Sequence, residues 1–153
     1  MGRAPVTIDE ALSGVTALGL DTAPLIYFVE AHPKYDARVT AIFERVAQGR
    51  LQAVTSAISL VEVLTQPIAK GDSELQDEYR DLLLNSDNFE LLPVDFEMAE
   101  RAAVLRASYK LRTPDALQVA AALGAGCQAF LTNDAPLKRV KEIKVLVLDE
   151  LLP

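Results

Sequence analysis

The sequence predicts a layered α/β fold, in which a mostly parallel sheet of about five short strands is flanked by helices. Three observations point there. Apolar runs of strand length recur along the chain, amphipathic stretches of helical period separate them, and proline, glycine and short polar residues mark the junctions. Residues 14–20 are the first apolar run and predict a strand. Residues 22–32 follow as a helix stopped by Pro33, because the residue before a proline avoids helical geometry. In residues 34–48, Val39, Ile42, Phe43 and Val46 recur at helical spacing and Gly49 supplies the stop. Residues 51–55 suit a strand, and Ser56 can cap a helix running to about Thr65, with Pro67 and Gly71 beyond it. Within that helix Ser59, Glu62 and Gln66 form a polar stripe opposite Ala57, Val61, Leu64 and Ile68.

Residues 73–84 predict another helix, with Leu75, Tyr79, Leu82 and Leu83 on one face. A strand is expected at 89–94, then a helix at 96–110 with Met98, Ala102, Leu105 and Tyr109 aligned. Thr113 is expected to cap a further helix, with Pro114 at its first position. Residues 128–132 read as a strand, 135–140 as a short helix and 143–148 as a last strand. Residues 1–13 are expected to be an N-terminal extension and 14–153 a single domain.

At 153 residues, half of them hydrophobic and 24% charged, the chain suits one domain with its own core. The composition excludes fibrous, disordered and disulfide-scaffold classes. No apolar run reaches the roughly 18 residues of a membrane span. The most apolar stretch, 116–131, is broken by Gln118, Gly124, Gly126 and Gln128. The lone Cys127 can form neither an internal disulfide nor a thiolate metal site by itself, so a reducing compartment is the default. Asp9 and Glu10 spoil a signal-peptide reading, and a cytoplasmic location is expected. The net charge of −7 argues against a passive nucleic-acid coat but leaves room for an acidic pocket that holds cations.

Four acids stand out under the rule that an open parallel sheet places its sites at the C-terminal ends of strands: Asp21 and Asp134 are at strand tips, and three of the four are at helix N-termini. Asp21 ends the first strand, Asp134 lies two residues past the strand 128–132, Asp115 falls in the first turn of a helix, and Glu62 lies two turns into another. Each also has a plain reading. Asp21, Asp115 and Asp134 can be ordinary helix caps favoured by the macrodipole, and Glu62 can face solvent. If all four converge, mutual repulsion makes such a cluster costly unless it holds a divalent cation. All-oxygen ligation suits Mg²⁺ or Mn²⁺, one or two ions, and the reaction they favour is displacement at phosphorus by an activated water. Rival acid chemistries fit poorly: Asp21-Thr22-Ala23 lacks the D-x-D of an aspartyl phosphohydrolase, and neither a P-loop nor G-x-G-x-x-G occurs. His32, before Pro33, and Cys127 read as structural residues.

The segments Leu20-Asp21-Thr22-Ala23, Leu60-Val61-Glu62-Val63, Thr113-Pro114-Asp115-Ala116-Leu117 and Thr132-Asn133-Asp134 resemble the four acidic blocks of the PIN-domain family, in order and at intervals of 41, 53 and 19 residues. The branch most similar is that of the VapC-type toxins of bacterial toxin–antitoxin pairs. The resemblance implies a three-layer fold and a metal-dependent endoribonuclease whose catalytic and metal-binding acids are Asp21, Glu62, Asp115 and Asp134. Thr132 resembles the family's site hydroxyl, and Ala23 stands where the family commonly has Asn or Ser. It implies as partners an RNA substrate, a small antitoxin that plugs the pocket, and a second copy in a homodimer. The alternatives are a PIN nuclease of RNA processing or decay without a toxin role, and a non-catalytic module that binds a cation structurally. Lys138, Arg139 and Lys141 can grip phosphates or simply balance nearby acids, and Lys110 and Arg112 beside Asp115 carry the same two readings.

Overall fold

Short buried strands set the frame. In a computed structural model describing residues 5–153, β2 (Ala17–Leu20), β3 (Gln52–Ser56), β4 (Phe89–Leu92), β5 (Ala129–Thr132) and β6 (Lys144–Val147) form one sheet. Its order is β4-β3-β2-β5-β6 and every pair is parallel. The central strands alternate between two cores. Leu18, Leu20, Ala129 and Leu131 face one side; Val54 and Phe130 face the other.

The first core is covered by α2 (Thr22–Val29), α3 (Asp36–Ala47), α4 (Ala57–Lys70) and α5 (Ser73–Asn85), through Leu25, Val39, Ile42, Phe43, Val46, Val63, Tyr79 and Leu83. The second is covered by α6 (Phe96–Tyr109) and α7 (Thr113–Gly124), through Met98, Ala102, Leu105 and the nearly all-buried α7. The predicted three-layer α/β architecture is therefore observed. Helix α7 lies so close to β2 that a β-carbon at Gly19 would collide with Ala122 Cβ. Only glycine permits that approach, and it brings the first turn of α7 near the end of β2.

Several boundaries differ from the sequence reading. Helix α2 stops at Val29, before Pro33 acts, because Ala31 turns left-handed at φ 50°. Helix α3 begins at Asp36, after a turn in which the Lys34 N–H donates to His32 Nδ1. Helix α4 runs through Pro67 to Lys70 and ends at Gly71, at φ 68°. The Pro67 carbonyl then accepts from the Asp72 N–H and Gln76 Nε2. The polar stripe of α4 is split: Ser59 is fully buried, whereas Glu62 and Gln66 are exposed as expected, and Val61 and Ile68, expected on the apolar face, are 63% and 55% exposed. Ser59 can face inward because hydroxyl and amide partners wait there.

Thr113 is the first residue of α7 rather than its cap. Arg112 holds the extended cap position, with no side-chain capping bond, and Pro114 falls within the first two helical positions. Residues 135–140 form a 3-10 turn, Ala135–Arg139, in place of an α-helix. Of the expected extension, residues 1–4 lie outside the described part. The remainder forms β1 (Val6–Thr7) and the short α1 (Ile8–Ala11). Strand β1 pairs in parallel with β7 (Leu151–Leu152), and Ile8, Ala11 and Leu12 join the first core. Among the described residues no helix is long and apolar enough to cross a membrane.

Candidate active site

The chain leaves β2 toward β3 on one side, and β5 lies on the other, so the strand order reverses between β2 and β5. Loops diverge at such a point and open a crevice beyond the strand ends. Asp21 stands on its rim: its N–H donates to the Leu131 carbonyl of β5 at 2.9 Å, and it caps α2 by accepting the Thr22 N–H at Oδ1, 2.8 Å. Oδ2 accepts from Thr132 Oγ1 at 2.8 Å. The same Thr132 oxygen accepts the Asp134 N–H at 3.0 Å. One buried hydroxyl thus couples the acid after β2 to the acid after β5.

Glu62 reaches the crevice from α4. Its Oε1 accepts from Thr22 Oγ1 at 2.6 Å, although the residue as a whole is exposed. Asp115 enters from the first turn of α7 and is 9% exposed. Arg112, one helical turn back, forks it: Nε donates to Oδ2 at 3.1 Å and Nη2 to Oδ1 at 3.3 Å.

Electrostatics tie these groups together. Burial raises the Asp21 carboxyl above its ordinary value; the nearby charges of Asp115 and Glu62 add to the rise, and the bonds from Thr132 and Thr22 oppose it. Arg112 is held above its own ordinary value, first by its bond to Asp115, then by the charges of Asp115, Glu62 and Asp134. Each of the four predicted acids is therefore within electrostatic reach of Asp21 or of Arg112. They do not form a closed cage. Among the described residues no group of three or more Asp, Glu, His or Cys side chains stands close enough to hold an ion. The donor chemistry of four carboxylates and a hydroxyl still fits a hard divalent cation of the Mg²⁺ or Mn²⁺ kind, once Asp115 is released from Arg112.

Behind the acids lies a buried neutral network that the sequence reading missed. Thr55 Oγ1 donates to the Leu20 carbonyl at 2.9 Å, so Ser59 Oγ must donate to Thr55, at 2.7 Å. Ser56 Oγ donates to Gln118 Oε1 at 2.8 Å. Gln118 Nε2 donates to Ser59 at 2.7 Å and to Thr22 Oγ1 at 3.1 Å, and Thr22 spends its single hydrogen on Glu62. Every hydrogen has a partner, and the chain of donors ends on a carboxylate. Thr22 supplies this support although Ala23, beside it, has no polar atom to offer. One signal was available: Ser59 lies three residues before Glu62 and Gln118 three after Asp115, so each shares a helix face with its acid.

Of the basic residues near Asp134, Lys138 is paired with Glu150 at 2.7 Å, which favours charge balance. Cys127 is buried, as expected of a structural residue, and burial pushes its thiol up to about 11.

The family model described as the PIN domain matches residues 19–143. No curated protein matches the sequence. The fold is similar to that of VapBC2 from Rickettsia felis bound to a DNA fragment from their promoter, with TM-score 0.69 and 18% identity, over 86% of this chain and 98% of that one. It is similar to a toxin–antitoxin complex from Klebsiella pneumoniae, with TM-score 0.66 and 22% identity, over 87% and 98%. It is also similar to Mycobacterium tuberculosis VapC20, described as a Sarcin-Ricin loop cleaving toxin, with TM-score 0.64 and 15% identity, over 84% and 99%. The family match spans most of the chain and takes in Asp21, Glu62, Asp115, Thr132 and Asp134: the chain belongs to the PIN domain family.

Proposed function

We propose that this protein is a metal-dependent endoribonuclease that hydrolyses RNA phosphodiester bonds, and that it is the toxin of a type II toxin–antitoxin pair. The observation that supports the reading is the hydrogen-bonded set where the strand order reverses: Asp21 and Asp134 share Thr132, Glu62 is held by Thr22 beside Asp21, and Arg112 forks Asp115. Asp21, Glu62, Asp115 and Asp134 would hold one or two Mg²⁺ or Mn²⁺ ions, directly or through water. A cation held there supplies an activated water and neutralises charge building on the phosphate. It also inverts the sign of an acidic crevice, so that a polyanion can approach.

The protein's own groups prepare that site. Thr132 fixes the outer oxygen of Asp21, and Thr22 fixes one oxygen of Glu62, leaving the other free to ligate. Beside Glu62 a cavity of about 500 Å³, lined in part by Ile26, Gln66, Lys70 and Tyr79, gives room for a nucleotide flanking the scissile bond.

The toxin role, with a small antitoxin as partner, is supported by the toxin–antitoxin assemblies of similar fold, and a cytoplasmic location is proposed with it. A homodimer is proposed as well, and light scattering on the purified chain tests it. For the activity, purified protein is stripped with chelator and incubated with an RNA pool. Cleavage should return with Mg²⁺ or Mn²⁺ and not without. Expression alone should arrest growth, and co-expression of the adjacent small open reading frame should relieve it. Cleavage with harmless expression would assign the chain to RNA processing or decay instead. Mn²⁺ binding without turnover on any RNA would make the chain a non-catalytic module.

A further inference from the structure

Arg112 is singular among the basic residues of this crevice. Its side chain is 76% exposed, yet its guanidinium is locked in two bonds to the buried carboxylate of Asp115. An exposed arginine gives up rotamer freedom to hold such a geometry, and a surface pair repays little of that. Here the fork engages both oxygens of a carboxylate whose side chain is only 12% exposed. The guanidinium thus covers the Asp115 carboxylate from the solvent side. The acids meanwhile stand ungrouped, with both oxygens of Asp115 turned to Arg112.

We propose that Arg112 is a built-in counter-ion that occupies the acidic crevice of the metal-free protein, and that a divalent cation must displace it from Asp115 to bind. The arginine therefore sets the cation concentration at which the site fills. This rests on the metal-site reading above. Two features make the exchange workable. Arg112 stands at the cap position of α7 with no capping bond to lose, so its side chain can swing out without disturbing the helix. Repulsion between a dication and a guanidinium a few ångströms away means that both cannot share Asp115 at low cost. A lysine would hold the carboxylate less firmly, because an ammonium offers a point charge where arginine offers a planar fork.

The test is calorimetric titration of Mn²⁺ into the metal-free full-length protein, with no RNA present, for wild type, Arg112→Ala, Arg112→Lys and Asp115→Asn. Arg112→Ala should bind Mn²⁺ about tenfold more tightly, within the range by which neighbours of ligands shift metal affinity. Arg112→Lys should fall between it and wild type, and Asp115→Asn should bind weakly. Melting gives a second readout. Without metal, Arg112→Ala should melt below wild type, its acids having lost their counter-charge, and Mn²⁺ should raise its melting temperature by more. Equal or weaker Mn²⁺ binding by Arg112→Ala, with wild type binding normally, overturns the counter-ion role and leaves the metal site standing. No Mn²⁺ binding by any variant overturns both.

Discussion

Two polar clusters lie side by side at the C-terminal edge of the sheet, and they are built on opposite terms. The inner one, Thr22, Thr55, Ser56, Ser59 and Gln118, is neutral and buried, and each hydrogen has an acceptor. The outer one, Asp21, Glu62, Asp115 and Asp134, carries the acids, and its one ion pair among the described residues is that of Arg112 with Asp115. The inner network joins α2, α4 and α7 to the ends of β2 and β3 and loses nothing by being dry. In the outer cluster, burial first and then the charges of Asp115 and Glu62 oppose ionisation of Asp21. The difference separates what the fold needs from what the site needs. Stability is invested in the layer behind, and the layer in front is left with a deficit that a cation can fill.

The largest expected effect comes from neutralising the front layer. Asp21→Asn should reduce metal-dependent RNA cleavage by at least about 100-fold, as loss of a metal-binding carboxylate demands. The same change should leave the metal-free protein more stable at pH 7. The folded carboxyl is raised above 3.8, so the folded state binds its proton more readily than the unfolded chain does. Stability from that preference is present below 3.8 and is lost as pH rises through the folded value. The asparagine escapes this loss. Its melting temperature in chelator should therefore exceed that of wild type at neutral pH, and the gap should narrow in acid. A variant both inactive and less stable at pH 7 would break the contrast between the two layers.

Cutting the rear layer should do the reverse. Gln118→Leu leaves Ser59 and Thr22 without their amide donor and Ser56 without its acceptor. Denaturant melts should show a loss of about 1–3 kcal/mol, the usual cost of stranding buried polar groups. Residual cleavage should persist, since every carboxylate remains. The smallest effect is expected far from both layers. With its thiol at about 11, Cys127 is about one part in a thousand thiolate at pH 8, and the side chain is buried. Iodoacetamide should label it slowly in the native protein and quickly in urea, and Cys127→Ser should cleave as wild type does.

The sheet and the helices on its two faces were legible because period and punctuation agree. Val39, Ile42, Phe43 and Val46 all reach the core as their spacing predicts. Asp21 and Asp134 were legible from their positions past strand ends, and Asp115 from its place in the first turn of a helix. Partnerships across the sheet were not. Nothing local in Ser59 or Gln118 says that they meet, 59 residues apart, because that contact depends on α4 and α7, from opposite faces of the sheet, converging past the ends of β2 and β3. Helix α4 misled for the same reason: its outward face carries Val61 and Ile68, and its inward face carries a serine whose partners come from other elements. Thr113 looked like a cap by residue type, but the extended backbone falls on Arg112, whose side chain is turned to Asp115.

The central claim is that these four carboxylates close on a divalent cation, and anomalous diffraction from crystals soaked in Mn²⁺ addresses it most directly. One or two peaks are predicted in the crevice between β2 and β5, about 2.1 Å from oxygens of Asp21 and its partners, with Arg112 turned away from Asp115. A crevice free of manganese at saturating concentration, with Arg112 still on Asp115, would contradict it.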